Sequence, residues 1–119
     1  MSSDLSVRLK EILSRTFNYS EHKQAEIIQF LSKYSPGYWV YPGVLKRELQ
    51  IAIEDSYRIL EALSDAGLVE GWYEYCCGNC QHVLGTVRQF NELPSSFECD
   101  FCGSTMNTLE NTIKIYKVI

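Results

Sequence analysis

LKRELQIAIEDSYRILEALSDAGLVEGWY, residues 45–73, is the stretch whose reading decides the fold. Pro42 just upstream has the fixed backbone angle suited to a first helical position, and the spacing predicts a helix from there to Gln50 with Val44, Leu45 and Leu49 facing inward. A tight turn through Ile51 and Ala52 follows. The next periodic segment predicts a helix over 54–66 that sets Ile59, Leu60, Leu63 and Ala66 on one side and ends at Gly67, which can take a left-handed cap conformation. Residues 68–75 then read as a strand, so the segment as a whole is helix, turn, helix, strand.

Upstream, Leu5, Leu9, Ile12, Leu13 and Phe17 recur at helical spacing over 4–17, with Ser3 or Asp4 placed to cap the first turn. A second helix is predicted from Ser20 to about Tyr34, burying Ile27, Ile28, Leu31 and Tyr34 and stopped by Ser35-Pro36-Gly37. Tyr38 to Tyr41 is short and aromatic, which suits a strand. Downstream, residues 83–90 supply another strand. TIKIYKVI at 112–119 closes the chain as a strand with Ile113, Ile115 and Val118 alternating and Tyr116 out of step.

The five cysteines, Cys76, Cys77, Cys80, Cys99 and Cys102, are all confined to the last third or so of the chain. Four of them form Cys-x2-Cys, x18, Cys-x2-Cys, the spacing of a tetrahedral zinc site. Two residues between sulfurs let one turn aim both thiolates at a single metal, and Gly78 and Gly103 are expected to permit the tight geometry. Cys77, Cys80, Cys99 and Cys102 are therefore the metal ligands expected, around one structural Zn²⁺, with iron of the rubredoxin type as the alternative. Cys76 is expected to be a free thiol or to replace Cys77. His82 is expected either at the surface or beside the sulfurs, and not as a ligand. No nucleophile and base pair, phosphate loop or open metal position is visible, so no enzyme is expected and no catalytic residue is assigned.

At 119 residues, 45% hydrophobic and 22% charged, the chain has room for one modest core and one satellite that needs a staple. No apolar run approaches the roughly 18 residues that cross a bilayer, and the start of the chain lacks a signal-peptide pattern, so a cytoplasmic protein without membrane contact is expected. The formal charge is −4. Four thiolates around a dication add about −2, which works against binding phosphates.

In Leu45, Leu49, Ile51, Leu60, Leu63, Gly67, Leu68 and Val69 the segment 42–75 resembles bacterial and archaeal winged-helix proteins. The resemblance implies that the helix at 54–66 is the one that meets base edges in the major groove. Its exposed residues here are Glu54, Asp55, Tyr57, Arg58 and Glu61, an acidic set for that task. A winged helix followed by a four-cysteine ribbon is also similar, in order of parts, to the N-terminal half of the alpha subunit of general transcription factor IIE and its archaeal counterpart. That family implies a winged helix used mainly to dock protein.

The expected fold is α+β, a winged helix-turn-helix with a small rubredoxin-like four-cysteine zinc ribbon inserted in the wing hairpin; a plain tandem of the two is the rival. The expected parts are an N-terminal helix at 1–18 offering a homodimer face, the winged helix at 19–75, the ribbon at 76–106 and a closing strand at 107–119. Two functions follow. One is a transcription-associated regulator touching DNA through Lys46, Arg47, Tyr57 and Arg58. The other is an adaptor that recruits a protein partner, with Trp39, Trp72 and Tyr73 as anchors or as core.

Overall fold

The computed structural model describes residues 3–119, with side chains from Ser6 onward, so the capping expected of Ser3 or Asp4 lies outside the described residues. The chain is mixed α+β and divides into two compact units. The first comprises the residues up to Glu70 together with Tyr116–Ile119, and the second is Gly71–Ile115.

The first unit holds helices α1 (Ser3–Thr16), α2 (Glu21–Leu31), α3 (Pro42–Leu49) and α4 (Ile53–Asp65), and strand β1 (Trp39–Val40). Each boundary has a local cause. Ser20 sits in extended backbone, and its hydroxyl accepts from the Lys23 amide at 3.1 Å, which caps α2. This helix stops at Leu31, short of the 34 expected, because the Lys33 and Tyr34 amides tighten onto the Phe30 and Leu31 carbonyls before Pro36 is reached. Pro42 opens α3, which ends on Gln50 in the left-handed region at φ 53°. Gly67, at φ +76°, closes α4: its amide reaches the Ser64 carbonyl, and the Leu68 amide reaches Leu63, both at 3.0 Å.

The core of this unit gathers Leu9 and Leu13 from α1, Ile27 and Leu31 from α2, Leu45 and Leu49 from α3, and Ile59, Leu60 and Leu63 from α4. Leu9 and Leu13 of the apolar face of α1 are thus buried inside the molecule, with Ile12 partly buried beside them. Val7 is the helix's exposed apolar residue among those described. Tyr116 and Val118 complete the core from the far end of the chain. They arrive on β6 (Thr112–Val118), which pairs antiparallel with β1 through Trp39 with Lys117 and Val40 with Tyr116.

Strand β2 (Val69–Cys76) and β3 (Val83–Val87) complete a four-stranded sheet of order β1-β6-β2-β3. Chain division falls within β2 and within β6, so the second unit leaves the first on one strand and returns on another. Its limits, 71 and 115, lie wider than the 76–106 expected for a ribbon. Ile115 and Tyr116 are both buried although they are adjacent, and only Tyr116 belongs to the first unit's core. Ile113, expected inside, is 45% exposed.

Within the second unit β2 and β3 are antiparallel, from Tyr73 opposite Val87 to Cys76 opposite Val83, with a bulge at Tyr75 and Cys76. The strand expected to run to Phe90 ends at Val87. The Glu92 carboxylate accepts from the Gln89 amide at 2.8 Å and folds Phe90–Glu92 into a 3₁₀ turn instead. A two-stranded hairpin of β4 (Ser96–Glu98) and β5 (Thr105–Asn107) carries the second cysteine pair at its turn. No helix among the described residues is long and apolar enough to cross a membrane.

Candidate metal centre

The two cysteine turns are built alike. In the first, the Gln81 amide donates to the Cys77 carbonyl at 2.8 Å and the Cys77 amide to the His82 carbonyl at 2.9 Å. In the second, the Gly103 amide donates to Cys99 at 2.8 Å and the Cys99 amide to Ser104 at 2.9 Å. The residue after each closing cysteine is left-handed, Gln81 at φ 69° and Gly103 at φ 74°. Gly103 therefore serves as expected, whereas Gly78 does not supply that angle. What Gly78 allows is close approach, since a Cβ there would meet the Asn111 side-chain oxygen at 2.5 Å. Backbone amides also turn toward sulfur: Cys80 toward Cys77 Sγ and Phe101 toward Cys99 Sγ, each at 3.4 Å.

The outcome is that Cys77, Cys80, Cys99 and Cys102 bring their sulfurs within 4.8 Å of one another. Cys77 to Cys102 and Cys80 to Cys99 are each 3.5 Å. A disulfide would need about 2.05 Å. A tetrahedron with metal–sulfur bonds of about 2.3 Å has edges of about 3.8 Å, so the cluster is of a size that could hold one metal ion through four thiolates. Cys77 and Cys99 are buried and Cys102 is exposed.

Polar groups stand close to the sulfurs. Asn79 Nδ2 lies 3.7 Å and the Ser104 hydroxyl 3.3 Å from Cys102 Sγ. His82 Nδ1 lies 3.2 Å from Cys80 Sγ, with its ring stacked on Phe101 at 3.9 Å. His82 thus stands beside a sulfur and outside the set of four. Cys76 is also outside: its sulfur faces the Asn111 carbonyl at 3.8 Å, and burial, then Glu74 and Cys77, push its thiol up.

As free thiols the four do not ionise evenly. The Ser104 hydroxyl and amide draw Cys102 down to about 6, against some desolvation. For Cys80 the His82 backbone pulls down, but burial and the thiols of Cys99, Cys77 and Cys102 carry it up to about 12. Metal binding needs every sulfur as thiolate, so loading at pH 7 is expected to release on the order of three protons. Bound metal depresses the thiolate pKa values, so its stabilisation is full at high pH and declines as pH falls and protons compete with the metal for sulfur. Affinity should drop on the order of a thousandfold per pH unit below 8, read by chelator competition at pH 6, 7 and 8. A flat profile would refute four-thiolate binding.

Residues considered for DNA contact are disposed differently. Lys46 and Arg47 lie exposed in the last turn of α3, with Arg47 3.3 Å from Glu48. Tyr57 is partly buried against the core. Arg58 is held three ways: 3.5 Å from Asp55, 4.6 Å over the Phe17 ring, and donating to the Thr16 carbonyl at 3.3 Å. Tyr19 joins the same group. Its ring stacks on Phe17 at 5.2 Å and its hydroxyl donates to Asp55 at 2.7 Å, and burial, then that hydrogen bond, push the phenol upward. Sequence reasoning missed this tie; an aromatic pair at 17 and 19 facing an acid and an arginine one turn apart was its only trace. Of the aromatic anchors considered, Trp39 is 37% exposed under Lys117, and Tyr73 is packed edge-on against Phe90. Trp72 is half-buried.

Four converging sulfurs place the chain among proteins able to hold a metal ion through cysteine. Beyond that class, no family model, curated protein or solved structure matches it.

Proposed function

We propose that the chain is a non-enzymatic regulatory adaptor: a winged-helix scaffold carrying a ribbon, inserted in the wing, that one structural zinc ion holds in shape. Zinc suits a closed set of four thiolates, and such a set leaves no position for substrate, which argues for structure and not catalysis. A reducing, cytoplasmic setting keeps these thiols available. The winged-helix resemblance rests on the order of helix, turn, helix and strand around Leu45, Leu60, Leu63 and Gly67.

The observation that favours an adaptor over a DNA reader is the internal binding of Arg58. With that guanidinium tied to Asp55, Phe17 and Thr16, the first turns of α4 offer Glu54 and a half-exposed Asp55, which repel phosphate. A second reading, regulation through DNA, is favoured by the exposure of Lys46 and Arg47 at the end of α3.

Titration of labelled duplex DNA at about 50 mM salt separates the two, because even weak phosphate contacts persist there. No saturable binding is expected. Saturable binding that disappears in a Lys46→Ala, Arg47→Ala double variant would instead establish the DNA reading. Arg58→Ala is expected to lower stability by about 1 kcal/mol, measured by urea unfolding, through loss of its ring contact and half-exposed ion pair. Unchanged stability together with altered DNA affinity would overturn the assignment of Arg58 as an internal tie.

A further inference from the structure

In the second unit the 3₁₀ turns Phe90–Glu92 and Leu109–Asn111 wall a shallow hollow of about 380 Å³, together with Leu93, Pro94 and Thr108. Each turn presents one exposed apolar side chain beside one exposed carboxylate: Phe90 with Glu92, and Leu109 with Glu110. Phe90 is 54% and Leu109 64% exposed, large values for side chains of this size that lie across one hollow. Tyr73 supports Phe90 edge-on, with ring centroids 5.5 Å apart. In the wall, the buried Thr108 hydroxyl has no hydrogen-bond partner among the described residues. That hydroxyl is closed to solvent, so it belongs to the wall beneath the hollow and not to the surface an occupant would touch.

Charge selects the occupant. Residues 71–115 contain two basic residues, Arg88 and Lys114, against five acidic ones, a balance of −3. Both basic groups are drawn onto the unit's own structure: Arg88 donates to the Gly71 carbonyl at 2.6 Å, and Lys114 lies 5.8 Å over the Tyr73 ring. Four thiolates around a dication make the unit more acidic still. Nucleic acid is repelled by such a surface, and a cationic ligand is drawn to it.

We propose that this hollow docks a basic segment of a partner protein, inserting a large apolar side chain between Phe90 and Leu109 while flanking Lys or Arg residues face Glu92 and Glu110. The proposal rests on the adaptor reading and gives it a site.

The test uses the full zinc-loaded chain, labelled with ¹⁵N, and two peptides of equal length: acetyl-Lys-Arg-Leu-Leu-Lys-Arg-amide and its twin acetyl-Glu-Glu-Leu-Leu-Glu-Glu-amide. The basic peptide should give saturable shifts at the amides of residues 90–93, 95 and 108–110, and the acidic twin should bind at least about tenfold more weakly. Leu109→Asp should weaken the basic peptide about tenfold and Glu110→Lys several-fold. Leu109 is mostly exposed, so its variant should keep metal content and the rest of the spectrum; Leu109→Ser serves as a second, uncharged variant. Equal binding of the twins, shifts elsewhere, no saturation at millimolar peptide, or self-association burying these same amides would each overturn the proposal. If a partner is captured equally by wild type and Leu109→Asp, this site fails while the adaptor reading survives. Saturable DNA binding lost with Lys46 and Arg47 would remove the adaptor reading itself.

Discussion

Cys99→Ser is expected to empty the metal site and unfold the second unit. Cys99 is buried at the turn of the β4–β5 hairpin, and its sulfur lies 3.5 Å from Cys80 and accepts from the Phe101 amide. A serine hydroxyl stays protonated at neutral pH and is a poor zinc ligand, so three thiolates would remain where four are needed. The size of the effect follows from what else the unit has inside it. Its buried hydrophobic residues among those described are Cys77, Cys99 and Ile115, so two of the three are the proposed ligands themselves. A segment with so little apolar burial cannot offset the conformational entropy of some forty residues. A bound structural zinc contributes on the order of 10 kcal/mol in comparable small sites. Metal analysis should fall from one ion per chain to none, and limited proteolysis should cut within 71–115. Cys76→Ser is the control: its sulfur faces Asn111 and not the cluster, so that variant should keep its metal. If Cys99→Ser retains metal, or Cys76→Ser loses it, the ligand assignment is wrong.

How far such a site was legible in the sequence depends on where its information lies. Ligand identity and spacing are local, and Cys77, Cys80, Cys99 and Cys102 do converge. Helices were legible for the same reason, because Leu45, Leu49, Ile59, Leu60 and Leu63 carry the period on short segments. What stayed hidden is set by contacts between distant residues or by very short elements. β4 and β5 are three residues each, too short to show a period of two, and their pairing, from Ser96 with Asn107 to Glu98 with Thr105, joins residues up to 11 apart. Gln81 takes a left-handed angle that its residue type does not advertise, whereas Gly103 at the matching place does. Arg58 read as a DNA contact because its partners at 16 and 17 lie some forty residues away in sequence.

These same limits explain β6, where alternation singled out Ile113, Ile115 and Val118 and left Tyr116 out of step. Sequence period assumes that one face of a strand is buried along its whole length. Here the strand passes from one compact unit into the other, so two neighbouring residues, Ile115 and Tyr116, are both inside.

Tyr116→Ala is accordingly expected to be the most damaging single change in the first unit, costing about 3–5 kcal/mol, the range for truncating a large buried aromatic side chain. Tyr116 is the largest fully buried side chain, and it reaches the core of helices α1 to α4 from β6, beside Val40 of β1. Its hydroxyl donates to the Glu61 carboxylate at 2.5 Å, so truncation removes a polar partner as well as ring volume. Tyr116→Phe separates the two contributions: it keeps the ring and should cost only about 1–2 kcal/mol. Since a domain of this size has only about 5–15 kcal/mol in all, the alanine variant should show a far lower urea midpoint by far-ultraviolet circular dichroism. A loss below about 1 kcal/mol in Tyr116→Ala would mean that β6 does not complete the helical core. The first unit would then be a self-sufficient segment ending near residue 70, and the second a tandem appendage instead of an insertion whose return strand the first unit needs.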